Sequence, residues 1–256
     1  MKILKILAAA GLAVTVMAGA AMAEMKTVRI GTEGAYPPFN YLDSAGKLQG
    51  FDIDIAKALC EKMKVKCTFI AQDWDGIIPA LIAKKYDAIV ASMSITDERK
   101  KKVDFTDKYY NTPGKFVVAK NSGITDVSPA AMKGKTIGAQ SSTIHANYLE
   151  AKYKDSNIKL YGTQDEANAD LVSGRLDAVL ADSVVLFEWM KTKDGACCKF
   201  VGPDLTDRKF FGDGAGIAVR KGDDELRKAF NKAIAEILAD GTYKKINDKY
   251  FPFSVY

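Results

Sequence analysis

Where the apolar runs of this chain give way to polar loops, the same few kinds of group recur: carboxylates, hydroxyls, one guanidinium and an aromatic ring. The run at 27–32 is followed by Glu33-Gly34-Ala35-Tyr36-Pro37-Pro38-Phe39, and the run at 88–91 by Ser92-Met93-Ser94-Ile95-Thr96-Asp97-Glu98-Arg99. Later in the chain the matching loops are Gln140-Ser141-Ser142-Thr143 and Asp182-Ser183. In parallel α/β sheets, ligands bind beyond the carboxyl ends of the strands, which is where these loops begin. Thr96 before Asp97-Glu98 reads as a helix start whose free N–H groups and dipole favour an anion. Arg99 lies in that first turn, and its planar guanidinium can hold a carboxylate through two hydrogen bonds, a geometry lysine cannot supply. The competing role for Arg99 is a surface ion pair with Asp97, Asp104 or Asp107. Two anions, one guanidinium and several hydroxyls suit the capture of a small zwitterion better than nucleophilic catalysis. The only histidine, His145, has no evident partner for a Ser/His/Asp triad and falls on the helix expected after the Thr143 loop.

These loops need strands to hold them. Short β-like runs alternate with helical patterns: Thr27–Thr32, a helix at 52–63, Lys66–Ala71, a helix at 75–84, Ala88–Ser92, and a further series after residue 113. That alternation predicts an α/β architecture with mostly parallel sheets flanked by helices. Two pairs of segments repeat in outline. Lys85-Tyr86-Asp87-Ala88-Ile89-Val90-Ala91-Ser92 resembles Arg175-Leu176-Asp177-Ala178-Val179-Leu180-Ala181-Asp182, and Val28-Arg29-Ile30-Gly31-Thr32 echoes Lys135-Thr136-Ile137-Gly138-Ala139. Two similar α/β lobes follow. No Pro/Gly/Ser-rich linker separates them, and the stretch 109–114, containing Pro113, is the best candidate for a crossing. After residue 205, a strand at 214–219 precedes a helix that carries Leu226, Phe230, Ala233, Ile234 and Ile237 at core spacing.

Composition narrows the class. The 256 residues are 48% hydrophobic and 27% charged, ordinary for a globular protein and unlike a disordered or multispan membrane chain. The formal charge of +5 includes no basic block long enough to grip nucleic acid, so DNA and RNA are disfavoured as partners. Lys2 and Lys5 precede an uncharged Ala/Gly-rich run that ends in Ala21-Met22-Ala23, the pattern of a secretory signal peptide over residues 1–23. Glu24 rather than Cys follows, which argues against a lipid anchor. The expectation is a soluble protein exported across one membrane, with no membrane insertion after signal removal. In that oxidising compartment, disulfides are the default for the four cysteines. A Cys60–Cys67 bridge would staple a helix-to-strand turn. For the adjacent Cys197 and Cys198, free thiols, a vicinal disulfide and an intermolecular bond all fit. A zinc site is the weaker reading, since there is no Cys-x-x-Cys and one histidine.

The stretches Gly31–Phe39, Gly50-Phe51-Asp52-Ile53-Asp54, Ser94–Arg99, Gly174-Arg175-Leu176-Asp177-Ala178 and Phe211-Gly212-Asp213-Gly214 together resemble the periplasmic amino-acid-binding proteins of ABC importers, solute-binding protein family 3. The likeness is greatest to the lysine/arginine/ornithine and arginine binders and runs over essentially all of 26–256. It implies a type II two-lobe fold with two hinge crossings, lobe one from 24–111 and 208–256 and lobe two from 112–207. It also implies the Cys60–Cys67 disulfide, a monomer, a membrane permease as partner, and neither cofactor nor metal. By the same analogy the ligand's α-carboxylate is held by Arg99 and the Thr143 loop, and its α-ammonium by the Ser92 carbonyl, the Ser94 hydroxyl and Asp182. The ligand side chain then points toward Glu33, sandwiched by Tyr36 and Trp74, with Gln140 reading its tip. Ser142 stands where many relatives have glycine, and Ile144 where some have threonine.

Charge complementarity makes the same selection. A zwitterion's own charges are answered by Arg99 and Asp182, which leaves Glu33 uncompensated in a dry cleft unless the ligand brings a cation. A basic L-amino acid is therefore expected: arginine first, because Gln140 adds an acceptor for a multidonor guanidinium, with lysine, ornithine and histidine behind it. The leading enzyme alternative is a periplasmic cyclohexadienyl (prephenate/arogenate) dehydratase, which resembles these binders and needs a general acid over the substrate ring. Incubation with prephenate separates the two, and no catalytic residue is assigned here.

Overall fold

The computed structural model describes residues 27–256; the expected signal peptide 1–23 and the start of lobe one at 24–26 lie outside the described residues. β1 (Thr27–Thr32) leads into a small antiparallel sheet of β2 (Ala35–Tyr36), β3 (Asn40–Leu42) and β4 (Leu48–Gln49). Then come α1 (Phe51–Lys62), β5 (Lys66–Ala71), α2 (Ile77–Ile82), β6 (Ala88–Ile89), α3 (Asp97–Lys100) and β7 (Val103–Tyr110). A second series follows: β8 (Gly114–Ala119), β9 (Thr136–Gln140), α4 (Ile144–Lys152), β10 (Asn157–Tyr161), α5 (Gln164–Val172), β11 (Ala178–Asp182), α6 (Ser183–Met190) and β12 (Cys198–Leu205). α7 (Arg208–Phe211) lies on the way back to β13 (Ala215–Arg220), followed by α8 (Asp224–Ala239) and α9 (Thr242–Tyr250).

Two of these elements are shorter than their sequence pattern. The helix expected at 75–84 begins as a tight turn at Trp74–Gly76 and ends at Ile82, because Lys84 turns into the left-handed region at φ 61°. The strand expected through Ser92 stops at Ile89, and Ser92 itself has φ 53°.

Two five-stranded sheets carry the molecule, in the orders β5-β1-β6-β13-β7 and β10-β9-β11-β8-β12. In each, the first three strands pair in parallel and the fourth runs antiparallel to both its neighbours. The sheets are thus mixed rather than mostly parallel in pairing. The cause is the crossing: β7 and β12 run toward the cleft and leave their sheets there, so the strand each feeds, β8 or β13, enters the other sheet at the cleft and must run away from it.

The sequence repeat is the repeat of these sheets. β1 and β9 are the second strands, and β6 and β11 the third. Asp87 accepts the backbone N–H of Arg29 at 3.0 Å, and Asp177 that of Thr136 at 2.8 Å, so the same aspartate ties the third strand to the second in both lobes. The glycines repeat for a packing reason: a Cβ on Gly31 would meet the Tyr86 ring at 2.5 Å, and one on Gly138 would meet Leu176 at 2.4 Å. Apolar residues cover both faces of each sheet. In the first lobe, Phe51, Ile55 and Leu59 of α1 pack with Phe230 and Ile234 of α8 on one face, and Ile77 and Leu81 of α2 with Tyr86 and Met93 on the other. Cys60 and Cys67 are disulfide-bonded and tie the end of α1 to β5. Cys197 is a free, exposed thiol and Cys198 a free, buried one.

Candidate functional site

All nine residues singled out from the sequence, Glu33, Tyr36, Trp74, Ser92, Ser94, Arg99, Gln140, Thr143 and Asp182, line one cavity between the two sheets. Tyr36, Gln140 and Asp182 are the last residues of β2, β9 and β11, and the others come from a loop beyond a strand or from the first turn of the helix after it. At one end is Glu33, directly after β1 and 9% exposed. Its Oε1 accepts a 2.5 Å hydrogen bond from Gln140 Nε2, which also donates to the Gly162 carbonyl at 3.1 Å. No cation of the chain pairs with Glu33 among the described residues. Burial pushes its carboxyl up to about 7; Gln140 opposes that, and the nearby Asp165, Asp73 and Asp75 add to it.

Arg99 stands at another wall. Thr96 caps α3 by accepting from the Arg99 N–H at 3.2 Å, as the sequence pattern predicts. The guanidinium donates to the carbonyls of Ser94 (3.1 Å) and Ser142 (3.3 Å) and lies 5.3 Å from the centre of the Trp74 ring. The alternative surface pairing does not occur: Asp97 faces Lys100 and Asp104 faces Lys221, and Arg99 has no carboxylate partner among the described residues. Burial holds the guanidinium at about 10, below its usual value. The guanidinium is therefore held in place by carbonyl oxygens and the face of Trp74, with no carboxylate among the described residues to neutralise it. Opposite it, the Thr143 hydroxyl donates to the Gln140 carbonyl at 2.7 Å and accepts the Ala146 N–H at 3.1 Å, capping α4. That hydroxyl is already committed, so the loop's offer to an anion is the N–H groups of the first turn of α4. Ser142 has φ 56°, the left-handed conformation that glycine adopts without strain.

The third charged group, Asp182, is 8% exposed and caps α6 through the N–H groups of Val184 (2.8 Å) and Val185 (3.3 Å), with Thr112 donating to its other oxygen. Burial raises its carboxyl to about 6, against those hydrogen bonds. Three donors leave room for one more on a carboxylate. Ser92 gives its hydroxyl to Asp52 at 2.9 Å and its N–H to the Tyr109 hydroxyl at 3.1 Å, which leaves its carbonyl. Tyr36 is buried and stacks against Phe39. Five hydrogen bonds join the lobes around the cavity: Gln140 with Glu33, Trp74 Nε1 with the Ser142 carbonyl at 3.1 Å, Arg99 with the same carbonyl at 3.3 Å, Ser141 Oγ with Asp75 at 2.9 Å, and Asn147 with Glu98 at 3.4 Å.

Sequence reasoning missed several members of the lining: Tyr110, Asn111 and Thr112 at the first crossing, and Phe211, Gly214 and Ala215 at the second. Their proximity to the crossings was the available signal. His145 is on α4 as expected but also lines the cavity, with burial driving its imidazole down to about 3, so it is neutral. Asp52, behind Ser92 and fully buried, was quoted in a motif without a role.

Two independent lines of likeness bear on this arrangement. The chain is 52% identical over 248 residues to the L-arginine-binding protein of Pseudomonas aeruginosa, covering 96% of this chain and 95% of that one. It is 42% identical over 249 residues to the lysine/arginine/ornithine-binding periplasmic protein of Escherichia coli, at 96% and 95% coverage. Among solved structures, an ancestral arginine-binding protein bound to arginine superposes with a TM-score of 0.82 at 43% identity, covering 89% of this chain and 99% of that chain. The two mixed α/β lobes, the cleft between them and these relatives agree with the family model that matches residues 28–253, and the chain belongs to the bacterial extracellular solute-binding proteins, family 3.

Proposed function

We propose that this protein captures a basic L-amino acid, arginine first and lysine, ornithine or histidine after it, between its two lobes in the periplasm and delivers it to the permease of an ABC importer. The observation that carries the specificity is Glu33: a buried carboxylate answered, among the described residues, only by the Gln140 amide, with Asp73, Asp75 and Asp165 adding negative charge around it. A cationic side chain is the partner such a group lacks. Arg99 and the first N–H groups of α4 take the α-carboxylate, Asp182 with the Ser92 carbonyl and the Ser94 hydroxyl take the α-ammonium, and Tyr36 and Trp74 flank the side chain. Gln140 both orients Glu33 and reaches the tip of the ligand.

Lobe one comprises 24–111 and 208–256 and lobe two 112–207, after cleavage of the signal peptide at residue 23, and the mature protein acts as a monomer. Contacts from both lobes complete the site, so a ligand favours the closed arrangement by its differential affinity for it. The permease then meets a surface built from both lobes only when the protein is loaded. The family and the relatives it is similar to are binding proteins, and the chain is not an enzyme. The test is a thermal-shift and calorimetric screen of all common amino acids after unfolding, dialysis and refolding to strip endogenous ligand. Binding to the native state alone raises apparent stability, so arginine should give the largest shift, followed by the other basic amino acids. A larger shift from a neutral or acidic amino acid than from every basic one would remove the specificity argument.

A further inference from the structure

One carboxylate that shapes the cavity does not line it. Asp52, the second residue of α1, is fully buried and accepts hydrogen bonds from Asn40 Nδ2 (2.8 Å), Ser92 Oγ (2.9 Å) and the Tyr109 hydroxyl (2.7 Å). All three donors are neutral, and no cation of the chain pairs with it among the described residues. A buried carboxylate satisfied only by neutral donors is costly beside an amide of the same shape, so a purely structural role leaves the charge unexplained.

Each donor leads back to the site. Asn40 Oδ1 accepts the N–H of Gly34, the residue after Glu33, at 2.8 Å. The Tyr109 hydroxyl accepts the Ser92 N–H at 3.1 Å, and Tyr109 precedes Tyr110 in the cavity wall. Ser92, held at φ 53°, has committed its N–H and hydroxyl to this cluster, and its carbonyl remains for the cavity. The charge also reaches across: Asp52 is among the influences that raise the Asp182 carboxyl.

We propose that Asp52 is a positioning residue for the ligand's α-ammonium: it locks Ser92 so that the Ser92 carbonyl faces the ammonium, and it sets a second negative charge behind that carbonyl. The inference rests on the amino-acid-binding reading above. It distinguishes Asp52 from a group that merely holds the fold, because the benefit goes only to a ligand that carries the ammonium.

The experiment compares arginine with 5-guanidinopentanoate, arginine without its α-ammonium, by calorimetry on the unaltered protein and on Asp52→Asn. Arginine binding should weaken by on the order of tenfold, the scale of one charge interaction lost at a partly screened distance. Binding of 5-guanidinopentanoate should stay within about twofold. Equal weakening of both ligands, or weakening of neither, would overturn the proposal and leave the binding function standing. Failure of the unaltered protein to bind arginine would overturn both. Should Asp52→Asn not fold, Tyr109→Phe decides: it keeps the charge and removes the hydroxyl that bridges Asp52 to the Ser92 N–H. The same selective loss for arginine, smaller in size, supports the role, and parallel losses for both ligands refute it.

Discussion

Raising the pH from about 5 to about 8 should tighten arginine binding steeply, and most of the effect should run through Glu33. Its carboxyl stands at about 7 because it is buried beside a neutral amide. A bound guanidinium would pull that value well below 5, so the apparent dissociation constant carries a factor of 1 + 10^(7 − pH), about 100 at pH 5 and about 1 at pH 8. Asp182, raised to about 6 by burial, contributes a further factor of about 10 at pH 5 through the α-ammonium. The wild-type affinity should thus change by up to about a thousandfold over this window, near 4 kcal/mol. Glu33→Gln is close in shape and removes the first factor. The variant should bind arginine more weakly at pH 8 by roughly 3–5 kcal/mol, the cost of breaking a buried pair, and keep only the tenfold dependence due to Asp182. Isothermal titration at four pH values, each in two buffers of different ionisation enthalpy, measures both affinity and proton release. About half a proton should leave Glu33 per arginine bound at pH 7. A flat wild-type profile, or identical profiles for wild type and Glu33→Gln, would refute the assignment of Glu33 to the ligand's side chain.

Arg99→Lys should weaken every amino-acid ligand alike, by about tenfold or more, and preserve their order, because it removes a two-pronged carboxylate contact that all share; loss of one ligand alone in parallel titrations would show that Arg99 is not the common anchor. Asp182→Ala should reduce the arginine-induced compaction seen by small-angle scattering at equal ligand excess, and scattering curves that coincide for free and saturated wild type would contradict lobe closure. Replacing Cys60 and Cys67, which are separated by 7 positions, with serine should lower stability by about 2–3 kcal/mol in chemical denaturation without altering arginine affinity. Without ligand, thermal stability should fall as pH rises from about 4 to about 7, because Glu33, Asp52 and Asp182 hold protons more tightly folded than unfolded and together outweigh His145, which holds its proton less tightly folded and acts in the opposite sense across this window; the depressed carboxyls of Asp170 and Asp240 act mainly below it, and a melting point that rises across it would contradict these shifts.

What the sequence made legible is what depends on neighbours in sequence or on a repeated local device. The Gly31/Tyr86 and Gly138/Leu176 contacts, and the Asp87 and Asp177 anchors, leave the same short words in both lobes, so the duplicated architecture could be read before any coordinates. Thr96 as a helix cap was similarly local. The reversed fourth strand was not legible, because strand direction depends on which end of a sheet the chain enters, and nothing in 111–113 or 206–214 encodes that. Asp52 was hidden for a related reason. An acidic residue at the second position of a helix is what the helix dipole favours anyway. Its actual partners lie 12, 40 and 57 positions away, on β3, a turn and β7. Ser142 marks a further limit: a serine at φ 56° carries no sign of its left-handed backbone in its own sequence neighbourhood.

The same charges that select the ligand also explain why closure should wait for it. With only the chain's own groups around them, Glu33 and Asp182 sit between the lobes with their carboxyls pushed up to about 7 and about 6, and each such shift is a penalty on the ionised form in the closed arrangement. For Glu33 the shift from 4.5 corresponds to about 3 kcal/mol above pH 7, an order-of-magnitude figure. Against that stand the five lobe-to-lobe hydrogen bonds, four of them at a partly exposed edge. Such bonds contribute about 1 kcal/mol each where water competes for both partners. The two sums are comparable, which is the condition for an open–closed equilibrium that a ligand can tip. A neutral zwitterion relieves the penalty at Asp182 and leaves the larger one at Glu33. A basic amino acid relieves both, so the preference for a cationic side chain and the energy that holds the lobes together arise from the same carboxylate.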